Sequence, residues 1–80
     1  MASMNSTEIS IWVRERIAKD LGSTAASVDP DTTFDRIGID SLALLGVLGD
    51  LANELDVDIE TSVLFDHPTI SSLAEHLASR

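Results

Sequence analysis

The stretch that decides the fold is residues 38–55, which read GIDSLALLGVLGDLANEL. Gly38 closes an irregular segment, and an apolar helical pattern begins immediately after Asp40. The carboxylate of Asp40 can cap this helix by accepting hydrogen bonds from the unpaired N–H groups of its first turn. Ser41 then lies in that turn with its hydroxyl outward, where the helix dipole stabilises an attached phosphate. An ordinary capping pair would look the same, so the dipeptide alone leaves both interpretations open.

The helix predicted over residues 41–55 is apolar on two faces. One stripe holds Leu42, Leu45, Leu48 or Gly49, Ala52 and Leu55, and the other holds Leu44, Val47 and Leu51. Such a helix is either fully buried or has one core face and one face for a partner. The small size of the chain favours the second arrangement. Leu44 and Val47 are candidate exposed contacts, and the sequence leaves open which residues face outward.

Two glycines interrupt the same helix, at Gly46 and Gly49. Each costs about 1 kcal/mol relative to alanine inside a helix. Three interpretations remain open, namely a close approach of another backbone, a surface kept flat for a partner, or simple tolerance.

Two other amphipathic helices and one short turn are predicted around this element. Apolar residues recur at three- and four-residue spacing from Ile9 to Leu21, and Gly22 then ends the first helix. Residues 59–65 form the short turn, and Thr69 caps the last helix after Pro68. The predicted fold is therefore all-α, a small bundle of three main helices plus one short helix. Its predicted core consists of Ile9, Val13, Ile17, Val28, Phe34, Leu42, Leu45, Leu55, Ile59, Leu64, Phe65, Ile70, Leu73 and Leu77.

A long ordered loop is predicted over residues 22–40, between the first two helices. Val28, Phe34 and Ile37 are spaced as anchors that tie it to the core. A loop of this length in so small a domain suggests a function. The acidic residues after Val28 begin like a calcium-binding loop, but Phe34 stands where that loop needs glycine, so no metal site is predicted.

The composition limits the possible function. The 80 residues include no cysteine, and 14 acidic against 5 basic residues give a formal charge of −9. This balance argues against binding nucleic acid or anionic membranes, which need basic patches. No apolar run is long enough to span a bilayer, and no signal peptide is recognisable. We expect a cytoplasmic monomer, with residues 1–6 disordered or a cloning remnant and residues 7–80 forming a single domain.

Three segments in register resemble the acyl carrier protein family, in the form found in modular polyketide synthases. They are residues 28–32 (VDPDT), 38–42 (GIDSL) and 64–70 (LFDHPTI), and the resemblance covers about residues 8–79. It implies the carrier-protein fold and a 4′-phosphopantetheine arm on Ser41, transferred from coenzyme A with a divalent metal. The arm would hold acyl or polyketide groups as thioesters, and Asp40 would help to position the transferase.

The resemblance also implies partners and the residues that contact them. The partners are a phosphopantetheinyl transferase and an acyltransferase, ketosynthase or acyl-activating ligase. The candidate contacts are Ile39, Asp40, Leu42, Leu44, Leu45, Val47, Leu48 and Asp50. Residues 42–49 lack the acidic side chains usual in carriers of primary fatty acid synthesis, which favours a role in polyketide synthesis.

Three alternatives remain. A peptidyl or aminoacyl carrier of nonribosomal or hybrid peptide synthesis is the nearest, although Ile39 stands where such carriers often have glycine. A cofactor-free acidic helical interaction module would explain the fold and charge. An independent enzyme is the weakest alternative, because His67 and His76 have no recognisable catalytic partner, so no catalytic residue is predicted. Between a free-standing carrier and a domain of a synthase, we lean towards the former.

Overall fold

Five α-helices and one 3₁₀ turn make up the computed structural model, which describes residues 4–79. They are α1 (Ser6–Leu21), the 3₁₀ turn (Ala25–Ser27), α2 (Phe34–Ile37), α3 (Ser41–Leu55), α4 (Val63–Asp66) and α5 (Ile70–Ala78). Within residues 4–79 there is no strand, apart from an isolated antiparallel bridge between Thr33 and Thr69. The all-α class and its three main helices are confirmed. The one-turn helix α2 was not predicted and lies inside the long connection.

Asn5 and Glu8 form a capping box at the start of α1. The Asn5 side chain accepts a hydrogen bond from the backbone N–H of Glu8 at 2.8 Å, and the Asn5 N–H donates to the Glu8 carboxylate at 3.0 Å. This capping box fixes the start of α1, and Met4 packs against the core beside it. Residues 1–3 lie outside the described part, and the division into a disordered start and a domain from residue 7 stays a prediction.

The core forms where α1 packs against α5 and α3. Eight of the predicted core side chains are buried: Ile9, Val13, Ile17, Val28, Phe34, Ile70, Leu73 and Leu77. Leu55, Ile59 and Leu64 are half-buried and pack against this cluster. The apolar periodicities of α1 and α5 therefore predicted their buried faces correctly.

The predicted register of α3 is wrong. Leu42 is 81% exposed and Leu45 is 42% exposed, whereas the side chains that face the core are Leu44, Val47, Leu48 and Leu51. These four residues follow i, i+3, i+4 and i+7 spacing, which places them on one face of a helix. Both stripes of this helix are apolar, so hydrophobicity alone did not identify the buried one.

Phe65 is a second error in the predicted core. Its side chain is 88% exposed, while Val63 in the same one-turn helix is buried. Adjacent residues of a helix point about 100° apart, so a single turn cannot bury all of its apolar side chains. Helix α4 buries Val63, half-buries Leu64 and leaves the aromatic ring in solvent.

Gly46 and Gly49 both lie on the solvent side of α3. No atom outside the helix backbone lies within 4 Å of the position that a Cβ would take at either glycine. A close approach of another segment of the described chain therefore does not explain them.

The long connection is fastened to the bundle at several points. Val28 and Phe34 are buried, as predicted. The Arg14 guanidinium donates to the carbonyl oxygens of Ala25 and Val28 at 3.1 and 3.0 Å. At the other end, the Phe34 N–H donates to the Pro68 carbonyl at 3.0 Å. These bonds hold α2 beside the start of α5, and three residues separate the end of α2 from the start of α3.

Candidate functional site

The start of α3 is set by Gly38, which follows α2 directly. Its φ of 95° and ψ of 11° lie in the left-handed region. A residue with a Cβ is strained in this conformation, whereas glycine is not. The position ends α2 and turns the chain, so that Asp40 can cap the next helix.

Asp40 is the N-cap of α3, as predicted. One oxygen of its carboxylate accepts a hydrogen bond from the Ala43 N–H at 2.8 Å, and its carbonyl oxygen accepts one from the Leu44 N–H at 3.0 Å. The N–H groups of the first helical residues, Ser41 and Leu42, have no acceptor within the helix. The site therefore combines one carboxylate with free N–H donors at the positive end of a 15-residue helix.

Ser41 is the first residue of α3, and its side chain is exposed. Within residues 4–79 its hydroxyl makes no hydrogen bond. An exposed, unpaired hydroxyl can react with a group brought by another molecule, and a phosphate attached there would lie against the free N–H donors. The residues present therefore fit a phosphate-linked arm at this position.

A groove of about 280 Å³ opens beside Ser41. Its walls are mostly apolar and come from α2, the α2–α3 link, α3, α4 and the chain before α5. The lining residues are Phe34, Asp35, Ile39, Ser41, Leu44, Leu64, Phe65 and Pro68. Asp35 is the one charged residue among them, so this groove is apolar with an acidic edge.

The predicted partner contacts separate into two groups. The structure buries Ile39, Leu44, Val47 and Leu48, each less than 10% exposed. The expectation that Leu44 and Val47 are exposed is wrong, because they form the core face of α3. Leu42 and Leu45 are exposed apolar residues on the opposite side, close to Ser41 along the helix. A partner can reach these two without disturbing the core.

Asp50 is exposed, but it has a partner within the chain. The Arg16 guanidinium of α1 forms a salt bridge with its carboxylate, and both side chains are about half exposed. The same guanidinium lies over the Trp12 ring, 5.1 Å from the ring centroid. Asp50 therefore links α3 to α1 and is less available to a partner than its sequence position suggested.

Phe65 is a further residue near Ser41 that the sequence analysis misplaced, besides Leu42 and Leu45. It was assigned to the core, yet it lines the groove beside Ser41 with most of its ring in solvent. The sequence carries one signal for this position. Val63, Leu64 and Phe65 are consecutive, and at most two of three consecutive helical residues can share a face.

Neither histidine lines the groove beside Ser41. The rings of His67 and His76 stack with centroids 4.3 Å apart, and Nδ1 of His67 is 2.7 Å from the Ser72 hydroxyl. In a nucleophilic triad the histidine is held by a third group, usually a carboxylate. No carboxylate bonds to His67 in the described residues. This contact joins the α4–α5 link to α5.

A second groove, of about 430 Å³, has His76 in its lining. Its lining includes Asp58, Glu60 and Asp66, which would repel a phosphate.

Residues 4–79 hold no group of three or more acidic or histidine side chains suited to a metal ion. No helix of the described residues is both long and apolar enough to cross a membrane. The chemistry at Ser41 therefore makes it the stronger candidate site, although its groove is smaller.

Comparison with known proteins gives a consistent result. Residues 11–77 match the family model described as "Phosphopantetheine attachment site". The chain is 41% identical over 61 residues, 76% of its length, to a protein named polyketide synthase 1 from Metarhizium acridum. It is 36% identical over 62 residues, 78% of its length, to a non-reducing polyketide synthase of Aspergillus niger. The match spans only 3% of the length of each of these synthases.

Solved structures of similar shape are carrier proteins. A free-standing peptidyl carrier protein from Acinetobacter baumannii superposes with a TM-score of 0.86 at 36% identity, over 94% of both chains. An acyl carrier protein from Anabaena, with a variant phosphopantetheinylation-site sequence, superposes with a TM-score of 0.89 at 25% identity. That superposition covers 99% of this chain and 90% of the other.

Proposed function

The chain belongs to the phosphopantetheine attachment family, and we propose that Ser41 is the residue to which its arm is attached. The observation that carries the assignment is the geometry of this serine. It is exposed, it makes no hydrogen bond within the described chain, and it is the first residue of a helix capped by Asp40. The match over residues 11–77 includes this position.

Attachment requires the Ser41 hydroxyl to act as a nucleophile. Its oxygen forms a new bond to the phosphorus that bears the pantetheine unit of coenzyme A, and the diphosphate bond to the nucleotide breaks. The nucleotide bisphosphate leaves, and the hydroxyl proton passes to a base of the transferase. The N–H groups of Ser41 and Leu42 favour the negative charge of the resulting phosphodiester, because they have no acceptor within the helix.

Asp40 prepares the site without reacting. Its carboxylate oxygen holds the Ala43 N–H and thereby keeps the first turn of α3 formed. Its negative charge would attract the divalent cation that such transfers use, and it would thereby help to orient the transferase. In this proposal Asp40 is a positioning residue.

When bound, the arm supplies a thiol that carries acyl groups as thioesters. The polypeptide has no cysteine, so it has no thiol of its own. The chain presents the arm to enzymes that perform the bond chemistry and is not itself an enzyme. Tethering raises the local concentration of the carried group at each partner site. Because coenzyme A is the donor, we place the carrier in the cytoplasm.

Polyketide biosynthesis is the pathway class that the relatives favour. The synthases that the chain resembles are named as polyketide synthases, at 41% and 36% identity. The corresponding partners would be a phosphopantetheinyl transferase for loading and an acyltransferase, ketosynthase or acyl-activating ligase for the cargo. Because the match spans 3% of those synthases, residues 7–80 would correspond to a single carrier domain of such a system.

One observation favours a second candidate, a peptidyl or aminoacyl carrier. The free-standing peptidyl carrier protein of Acinetobacter baumannii covers 94% of this chain at 36% identity. The two candidates share the same arm and the same attachment residue. They differ in cargo, so the acyl- or aminoacyl-activating enzyme that loads the arm would separate them.

Two matched variants test the attachment residue. Ser41→Ala should abolish the gain of one phosphopantetheine, measured by intact mass after incubation with coenzyme A, Mg²⁺ and a broad-specificity transferase. Ser6→Ala is the control, because Ser6 also follows a cap at the start of a long helix. This control should load like the wild type. Loading that persists in Ser41→Ala would overturn the assignment.

A further inference from the structure

Helix α3 carries two carboxylates and no basic side chain. Between Ser41 and Leu55 the acidic residues are Asp50 and Glu54, one helical turn apart, and both are exposed. The whole chain has a formal charge of −9, so a complementary partner brings basic side chains to it. Asp50 and Glu54 are the carboxylates that such a partner can pair with on this helix.

The two carboxylates differ in their surroundings. Asp50 forms a salt bridge with the guanidinium of Arg16 on α1, and the two side chains are 48% and 38% exposed. The carboxylate of Glu54 makes no hydrogen bond or ion pair within residues 4–79. The chain therefore neutralises one carboxylate of α3 itself and leaves the other free.

Trp12 holds Arg16 in this position. The guanidinium lies over the indole ring, 5.1 Å from the ring centroid, and the attraction between a cation and the face of an aromatic ring does not depend on Asp50. Trp12 itself is half-buried and packs against the core. Arg16 is therefore kept beside Asp50 even when the salt bridge opens.

The salt bridge is weak enough for another molecule to replace it. An ion pair between partly exposed side chains adds little stability, because water screens the charges. A basic group of a partner can therefore pair with Asp50, but it must first compete with Arg16. The competitor is part of the same chain, so its local concentration is high. Such competition weakens binding through charge at this position and leaves apolar contacts unaffected.

We propose that Arg16 masks Asp50 and is a specificity determinant of α3. The partners that it disfavours are enzymes with arginine or lysine side chains opposite Asp50, and the transferase that modifies Ser41 is one of them. This inference rests on the proposed function. It assigns a role in partner selection to a residue of α1, which acts by competing for the contact rather than by making it.

Loading kinetics of the full chain test the mask. The probe is a broad-specificity phosphopantetheinyl transferase with coenzyme A and Mg²⁺, followed by intact mass. At about 20 mM NaCl, Arg16→Gln should raise kcat/KM for the carrier about threefold by lowering KM, because Asp50 becomes available. Arg16→Lys should fall between this variant and the wild type, since lysine keeps the charge but not the planar fork. At about 500 mM NaCl the differences should disappear.

Lys19→Gln is the matched control for Arg16→Gln. Lys19 is exposed on the same helix, and its side chain makes no hydrogen bond or ion pair within the described chain. The substitution removes the same charge, so it measures the general effect of net charge on the encounter. It should raise kcat/KM by less than half as much. An equal rise in the two variants would refute the mask.

A double-mutant cycle identifies the carboxylate that Arg16 covers. Asp50→Asn should change kcat/KM by less than about 1.5-fold in the wild type, but should lower it about threefold in Arg16→Gln. Glu54→Gln is the comparison, and its effect should be the same in both backgrounds. An effect of Asp50→Asn that does not depend on Arg16 would overturn the inference.

The remaining outcomes separate this inference from the proposed function. Melting followed by circular dichroism should change little in Arg16→Gln, because the lost contacts are partly exposed. Loading of every variant at the wild-type rate would refute the mask and leave the attachment at Ser41 standing. A folded wild type that the transferase does not load would overturn the proposed function, and this inference with it.

Discussion

Asp40 and Ser41 are neighbours with different physical roles at the start of α3. The carboxylate of Asp40 satisfies a backbone donor, while the hydroxyl of Ser41 is left free. The cap was predictable from sequence, because an acidic residue before an apolar helical run has few other local uses. The exposure of Ser41 followed from the same prediction. Its role as the attachment residue remains a proposal, since an ordinary cap has the same geometry.

The cap gives a prediction at the scale of one residue. Asp40→Ala should lower the free energy of unfolding by about 1 kcal/mol, because the Ala43 N–H loses its acceptor. Asp40→Asn should lower it by less, since an amide oxygen can still accept that bond and only the charge–dipole attraction is lost. Urea denaturation followed by the fluorescence of Trp12, the single tryptophan, measures both. Equal losses in the two variants would contradict this account of the cap.

Helix α3 shows where sequence reasoning failed and why. Its apolar residues occupy more than half of the helix circumference, so the hydrophobic period did not distinguish the stripe of Leu44 from that of Leu42. The two glycines were the better signal. Gly46 and Gly49 both fall on the exposed side, while the buried stripe contains only leucine and valine. Helix α4 has the same ambiguity, because three consecutive apolar residues lie within its single turn. The sequence analysis therefore assigned Phe65 to the core.

Glycines provide a prediction at the scale of the element. Gly46→Ala and Gly49→Ala should each raise the free energy of unfolding by about 1 kcal/mol, because both sites are helical and open. Gly38→Ala should lower it, because φ at this position is 95°. The three variants make the same chemical change, so the sign depends on the backbone alone. Chemical denaturation measures all three free energies of unfolding. A higher value for Gly38→Ala, or a lower value for the other two variants, would show that the helix bounds are wrong.

At the scale of the whole molecule, charge opposes folding. The formal charge of −9 is spread over a chain whose Cα atoms have a radius of gyration of 11.3 Å. Most of the acidic side chains are exposed, and their mutual repulsion destabilises the compact state. The excess of negative charge was known from the composition alone. The Arg16 salt bridge to Asp50 could not be foreseen, because it joins residues 34 positions apart on two helices.

Added salt should therefore stabilise the protein. Raising NaCl from about 20 mM to about 500 mM shortens the screening length and should raise the unfolding midpoint by about 4–8 °C, equivalent to about 1 kcal/mol for a domain of this size. Scanning calorimetry at pH 7 measures the change. The same comparison near the sequence pI of 4.2 is the control, where the effect should largely disappear. A midpoint at pH 7 that does not respond to NaCl would contradict the role of repulsion.

The measurement that tests the central claim most directly is the intact mass of the wild-type chain. The protein is incubated with coenzyme A, Mg²⁺ and a broad-specificity phosphopantetheinyl transferase, and the product is then fragmented. Our account predicts a gain of one phosphopantetheine, located on Ser41 by the fragments. A gain located on any other serine, or no gain on folded protein, would contradict it.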